Sequence, residues 1–400
     1  MTKIKIDASA EIFLRNQGRE LSSIPALGEH VQLRNTANLS KGATAIDVTD
    51  EVHSDIRFIC ERAARIAQLD VCGIDLIAED ISQPASGQSL GIIEVNAAPG
   101  IRMHHYPTVG QPRDAGGAIV DHLFPNPAQA RIPIVSITGT NGKTTVTRMI
   151  AHGLKSRFDF VGMTNSSGIY INEHLIQKGD TTGPHSARMI LDDPSVNVAV
   201  LETARGGILR RGIGFDWSDV GVITNVQPDH IGQDGIESVQ DILKIKAVIA
   251  EQVRDGGTLV LNADDELVLS LLDRPSVRAE HKRVMLFSMD SSHPRILAHV
   301  QTGGTAFVFQ DGQIVEMQGD VSTARPIMAA SLIKSTIGAT SHYQISNSLA
   351  ATAALRALEL DQSEISQGLS SFDSITNNAG RANLYRVGKG FVMVDYGHNP

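Results

Sequence analysis

An α/β protein built on a parallel sheet with a phosphate loop is the fold class that this sequence predicts, and three observations predict it. The stretch "VSITGTNGKTTV", Val135 to Val146, places a glycine-bounded loop between an apolar run and a helical pattern. A series of apolar, β-rich runs follows, each ending in polar residues, with helical segments between them. At 400 residues the chain exceeds one ordinary core, so two or three domains are expected.

The first strand is "RIPIVSITG", bounded by Pro133 and Gly139. From Lys143 onward, "KTTVTRMIAHGLK" carries Val146, Met149, Ile150 and Leu154 at helical spacing. The loop between them departs from the common G-x-x-x-x-G-K-[ST] spelling, because Ile137 stands where the first glycine is expected. A strand-to-helix turn nevertheless offers free backbone N–H groups and the helix dipole to phosphate. Gly139 and Gly142 let the backbone approach closely, and Thr140, Asn141 and Thr145 complete the loop. Lys143 can neutralise phosphate oxygens, and Thr144 is placed to hold a magnesium ion. A glycine turn with a surface lysine is the plain alternative.

Four further strands are read from the same pattern. "DFVGMT" leads to Asn165 and Ser166, and "VNVAVLE" ends in Glu202. "DVGVITN" leads to Asn225, Asp229 and His230, and "GGTLVLN" ends in Asn262 before Asp264 and Asp265. Between the last two, "SVQDILKIKAVIAEQV" has helical periodicity. Such alternation gives a parallel sheet with ligands at its carboxyl edge, where these polar residues collect. Glu202 is read as a magnesium ligand rather than a helix cap or surface charge. His230 is read as a metal ligand rather than a loop-satisfying histidine. Lys246, on the helix after His230, reads from spacing alone as a surface residue.

Composition narrows the function classes. A 42% hydrophobic and 20% charged chain is soluble and globular, and a net charge of -9 argues against nucleic acid as a partner. Cys60 and Cys72 make no disulfide framework and suit a reducing cytoplasm. No apolar run approaches the ~20 residues of a membrane span. The start "MTKIKIDASAEIFL" lacks a signal peptide's apolar core. The end, "FVMVDYGHNP", stops within a strand-then-loop pattern, so the chain reads as an interior slice of a longer enzyme.

The segments "GTNGKTT", "LETARGGILRRG", "NVQPDHIG", "IKAVIAE", "LNADDE", "GRANLYRV" and "VDYGHNP" stand in the order seen in Mur-type amide ligases, which the chain resembles. That family spells its loop with an asparagine before G-K-T-T, which accounts for Ile137. "SSGIYINEHLIQKGDTTGP" and "LETARGGILRRGIGFDWSDVGVITNV" resemble its cyanophycin-forming branch. Upstream, "NLSKGATAIDVTDEVH", "CGIDLIAED" and "GIIEVNAAPGIRMH" resemble the later half of an ATP-grasp domain. The resemblance therefore implies an α+β ATP-grasp portion over 1–127, a Mur ligase central domain over 128–376 and the start of a third domain over 377–400.

The resemblance further implies ATP and Mg2+ as cofactors. Lys143 falls to the phosphates, Thr144 and Glu202 to one magnesium, and His230 to a second. Lys246, by the family pattern, is carbamylated and supports that second ion. Asn262, Arg381 and Asp395 resemble nucleotide contacts, and His398 lies in a family motif. Asp75, Glu94 and Asn96 occupy the positions of ATP-grasp magnesium ligands. The implied substrates are aspartate, arginine and a growing cyanophycin primer. The ATP-grasp site extends an aspartate backbone and the Mur-like site joins arginine to aspartate side chains. A cytoplasmic homo-oligomer is expected, and the 400-residue segment alone is expected to be inactive. Gly179 to Arg188 is an acceptor-binding loop or a plain surface loop. Arg205 and Arg210 attract acidic substrate groups or are simple helix-end charges. Another Mur-type ligase, for folylpolyglutamate or a cell-wall precursor, and an inactive nucleotide-binding module remain the alternatives.

Overall fold

The computed structural model describes residues 6–29, 31–33, 43–125, 130–229, 231–319 and 324–397. The chain divides into two compact units, residues 1–130 and 131–400. No helix among the described residues is long and apolar enough to cross a membrane.

The first unit pairs two antiparallel strands, β1 (Gly73–Ala78) and β2 (Leu90–Asn96), with helices Ser54–Ile66 and Ala115–Leu123. Polar caps fix both helices: His53 accepts from Asp55 N and Asp114 accepts from Gly117 N. Arg113 bridges Asp47 at 2.8 Å, and this hydrogen bond, with that from Thr49, holds the Asp47 carboxyl well below its usual range.

The second unit is an eleven-stranded mixed sheet. Its strands are β3 (Ile134–Thr138), β4 (Val161–Asn165), β5 (Gly168–Ile171), β6 (His174–Lys178), β7 (Val198–Glu202) and β8 (Ser218–Ile223). There follow β9 (Val253–Asn262), β10 (Arg283–Ser288), β11 (Thr305–Gln310), β12 (Gln313–Gln318) and β13 (Arg325–Ala329). Their order is β13-β12-β11-β10-β9-β8-β3-β7-β4-β5-β6. From β4 to β11 in that order all pairings are parallel. The expected parallel sheet is thus extended by an antiparallel pair at each edge, β5–β6 and β12–β13. Two-residue turns make two of these reversals: Asn172–Glu173 and Asp311–Gly312 all have positive φ, the geometry of hairpin turns. A separate hairpin, β14 (Asn383–Val387) with β15 (Gly390–Val394), ends the unit.

Both faces of the sheet are covered. The apolar side chains of "VTRMIAHGL" pack with helix His342–Ala357 and helix Gln362–Ser371 on one face, where Val146, Met149, Ile150 and Leu154 are fully buried. Helices Val239–Glu251 and Pro294–Gln301 cover the other. β3 is buried along its whole length. After β3 the chain moves to β4 on one side, and later to β8 on the other. The loop after β3 therefore sits where the strand order reverses, the usual ligand crevice of such sheets.

Candidate functional site

The loop Gly139–Gly142 leaves β3 with a positive-φ glycine at each end. Gly142 has φ 84° and ψ -17° and caps helix Lys143–Leu154. A Cβ there would lie 2.3 Å from Asn347 Oδ1. The chain after β8 fastens the loop: Thr224 Oγ1 donates to Asn141 O at 2.6 Å, and Asn141 N donates to Asn225 Oδ1 at 2.8 Å. Lys143 Nζ donates to Thr140 O at 2.8 Å, and burial lowers its pKa against the opposing pull of Glu202 and Asp229.

Thr144 Oγ1 donates to Glu202 Oε2 at 2.9 Å, joining the loop helix to the end of the neighbouring strand β7. Ser166, just past β4, donates its N–H to the same oxygen at 3.2 Å. Glu202 is only 3% exposed, and burial raises its pKa while Lys143 and Thr144 oppose the rise. Arg381 Nη2 donates to Thr144 Oγ1 and Ser166 Oγ at 3.4 and 3.3 Å. Its guanidinium lies 4.4 Å from the Tyr396 ring centroid, and Asp395 accepts from Ala382 N at 2.9 Å. A cavity of ≈680 Å³ lies over these groups, lined by residues 140–145, Ser166, Asp180, Glu202, Asn347, Arg381 and Asp395 among others. That size falls in the range of small-molecule pockets, about 300–1,000 Å³.

One organiser of the cavity was not singled out from the sequence. Arg148 is buried one turn beyond the loop, and donates to Ser167 Oγ at 2.9 Å, Asn378 Oδ1 at 3.4 Å and Ala379 O at 3.3 Å. It thereby pins the segment that delivers Arg381. The signal was an arginine within a helix face otherwise made of core residues.

Lys246 corrects the reading from spacing. It is 3% exposed, and Nζ donates to Gly139 O at 2.5 Å. Helix Val239–Glu251 buries Ile242, Leu243, Lys246, Ala247, Ile249 and Ala250, so Lys246 falls within the core-facing stripe. Burial, and next the charge of Lys143, hold its pKa well below the ordinary lysine value. Lys244 points elsewhere, 67% exposed and paired with Asp241 at 3.1 Å.

Asn262 is not brought to the cavity lining. Its Nδ2 donates to Thr224 O at 2.9 Å and its Oδ1 accepts from Asp264 N, so it shapes the exit of β8. Asp265 likewise accepts from Val226 N at 2.7 Å. Of residues 179–188, Asp180 and Thr182 line the cavity, while Pro184 onward forms a helix. Arg205 and Arg210 both pair with Asp234, at 3.5 and 3.0 Å. His230 and His398 lie outside the described residues.

In the first unit, Asp75 lies directly opposite Glu94 across β1 and β2, so both carboxylates share one face with Asn96. Asn96 Nδ2 donates to Glu94 Oε1 at 3.1 Å. Among the described residues no three His, Cys, Asp or Glu side chains converge as a closed metal cluster.

A mostly parallel sheet with its site at the carboxyl edge, between a glycine loop and a buried carboxylate, is a Mur ligase-type α/β fold. Residues 137–355 match the Mur ligase middle domain, and the chain belongs to that family. It is similar to cyanophycin synthetase from Synechocystis sp., with 45% identity over 401 residues covering 100% of this chain and 45% of that protein. Cyanophycin synthetase from Nostoc sp. is 43% identical over 401 residues, covering 100% of this chain and 44% of its own. The chain thus spans less than half the length of these curated relatives. A solved pseudomurein peptide ligase type C from Methanothermus fervidus has a TM-score of 0.45 at 21% identity, covering 76% of this chain and 64% of that one.

Proposed function

We propose that the chain is an ATP-dependent acid–amino-acid ligase of the cyanophycin-forming kind. The observation that carries this reading is the contact of Thr144 with buried Glu202 at the foot of the ≈680 Å³ cavity. Amide formation from a carboxylate needs activation, because hydroxide is a poor leaving group. Transfer of the γ-phosphoryl group from ATP to a carboxylate oxygen gives an acyl phosphate and ADP. An amine then attacks the acyl carbon and phosphate departs. The protein's part is to position reactants and neutralise charge.

Lys143 directs its charge to the phosphates, and Arg381 and Asp395 contact the nucleotide. The donor set fits Mg2+: Thr144 and Ser166 hydroxyls and the buried Glu202 carboxylate are hard oxygen ligands held together at one point. Mg2+ bound there supplies neutralisation of the phosphate oxygens. His230 and a carbamylated Lys246 are assigned to a second ion. In the first unit Asp75, Glu94 and Asn96 form the metal-holding edge of an ATP-grasp site. That site adds aspartate to the backbone, and the second unit adds arginine to aspartate side chains, in a cytoplasmic homo-oligomer. The domain limits 1–127, 128–376 and 377–400 belong to the same proposal.

The test is ADP release by the protein expressed from its native gene, with an aspartate polymer and arginine supplied together or singly. The reading requires both substrates for release, and Glu202→Gln lowers the rate by about a hundredfold or more. Unchanged turnover in Glu202→Gln contradicts it.

A further inference from the structure

A smaller cavity of ≈160 Å³ adjoins the first and shares Thr140, Lys143 and Ala204 with it. Arg205, Asp229 and Lys246 also line it, and Asp229 is the only carboxylate among its described lining residues. The two lysines already donate to carbonyl oxygens, Lys143 to Thr140 and Lys246 to Gly139. Arg205 differs. Asp234 holds its Nη2 at 3.5 Å, while Nη1 is buried with no hydrogen-bond partner among the described residues. A buried donor on a charged group is costly to leave unmade, and Arg205 is the lining cation whose hydrogen bonds are incomplete among the described residues.

The ligand's chemistry follows from charge, shape and room. A planar guanidinium fork matches a carboxylate. The cavity of ≈160 Å³ offers roughly five water-sized volumes of ~30 Å³, room for a carboxylate and its adjoining carbons. It opens beside Lys143, at the phosphate end of the nucleotide cavity. We propose that Arg205 binds the substrate carboxylate that receives the phosphoryl group, held in this annex by the guanidinium edge that Asp234 leaves open. The proposal rests on the ligase reading above. Arg210 shares Asp234 but is 67% exposed and does not line the annex, which makes it the control for the ion pair alone.

Calorimetry on the 400-residue chain separates the two ideas. Mg-AMPPNP is titrated first, and tri-aspartate is then titrated into the saturated protein. Arg205→Lys and Arg205→Gln weaken tri-aspartate by about tenfold or more while AMPPNP affinity, which also reports an intact fold, stays unchanged. Arg210→Ala changes neither. Failure of the wild-type chain to bind AMPPNP sinks the ligase reading itself. AMPPNP binding with tri-aspartate affinity equal in wild type and both Arg205 variants, or absent in all, overturns the Arg205 assignment alone. Loss of a 13C-bicarbonate-derived Lys246 carbamate signal with tri-aspartate affinity unchanged overturns it too, since Arg205 then serves the lysine.

Discussion

Gly142→Ala perturbs the loop at the point where its geometry is tightest. Gly142 has φ 84°, a left-handed conformation that costs an L-residue about 1–2 kcal/mol. The new Cβ would lie 2.3 Å from Asn347 Oδ1, so the buried amide must turn away. That movement breaks the 3.2 Å hydrogen bond from Asn347 Nδ2 to Gln344 Oε1, worth about 1 kcal/mol. The sum is about 2–3 kcal/mol, which for a unit of this size lowers the melting temperature by roughly 5–10 °C. The N–H groups of the loop shift with it, so Mg-AMPPNP affinity falls by about tenfold. Differential scanning calorimetry and titration calorimetry read the two effects. Asn347→Ala in the same chain removes the clash but not the backbone strain, so the double variant recovers about 1 kcal/mol relative to additivity. A melting temperature and affinity equal to wild type in Gly142→Ala refute the reasoning, because neither strain nor clash then exists.

Lys246→Ala in the protein expressed from its native gene abolishes arginine addition, while Lys244→Ala is mild, since one lysine faces Gly139 and the other solvent. Added formate or acetate partly restores the first by standing in for a carbamate; full activity in Lys246→Ala rules the role out. Arg148→Ala removes the buried hydrogen bonds to Ser167, Asn378 and Ala379 and lowers stability by about 2–4 kcal/mol, with weaker nucleotide binding through displaced Arg381, read by urea unfolding and calorimetry. Glu173 has a pKa lowered to about 2, first by the His152 hydrogen bond and also by Lys155. Its folded value lies below its ordinary 4.5, so its contribution is present above that value and fades as pH falls toward about 2. Glu173→Gln is therefore less stable than wild type at pH 7, and the gap closes through that window; a gap that persists at the lower end contradicts the assignment.

The parts of the fold legible in the sequence were those set by local pattern. The run before Gly139 and the helix from Lys143 both declared themselves by period, and the polar residues ending β7 and β8 marked the carboxyl edge. The antiparallel edges were missed because β5 and β6 are short, and their turn, Asn172–Glu173, lacks the usual glycine. The Asp311–Gly312 turn was a readable signal. Lys246 was misplaced because lysine type outweighed its position in the stripe with Ile242 and Ile249. Asn262 was read as a nucleotide contact, and the structure adds a role that no local pattern records, its amide donating to Thr224 O at the exit of β8. Arg148 and Arg205 act through partners distant in sequence, which no local period records.

The central claim is that the loop after β3 holds a magnesium nucleotide, and titration of Mg-AMPPNP into the chain and its Lys143→Ala variant tests it most directly. Wild type is expected to bind, with affinity that depends on Mg2+ and on Glu202, and Lys143→Ala to lose most of it, since the charge aimed at the phosphate oxygens is gone. Equal affinity in the two proteins would contradict the account.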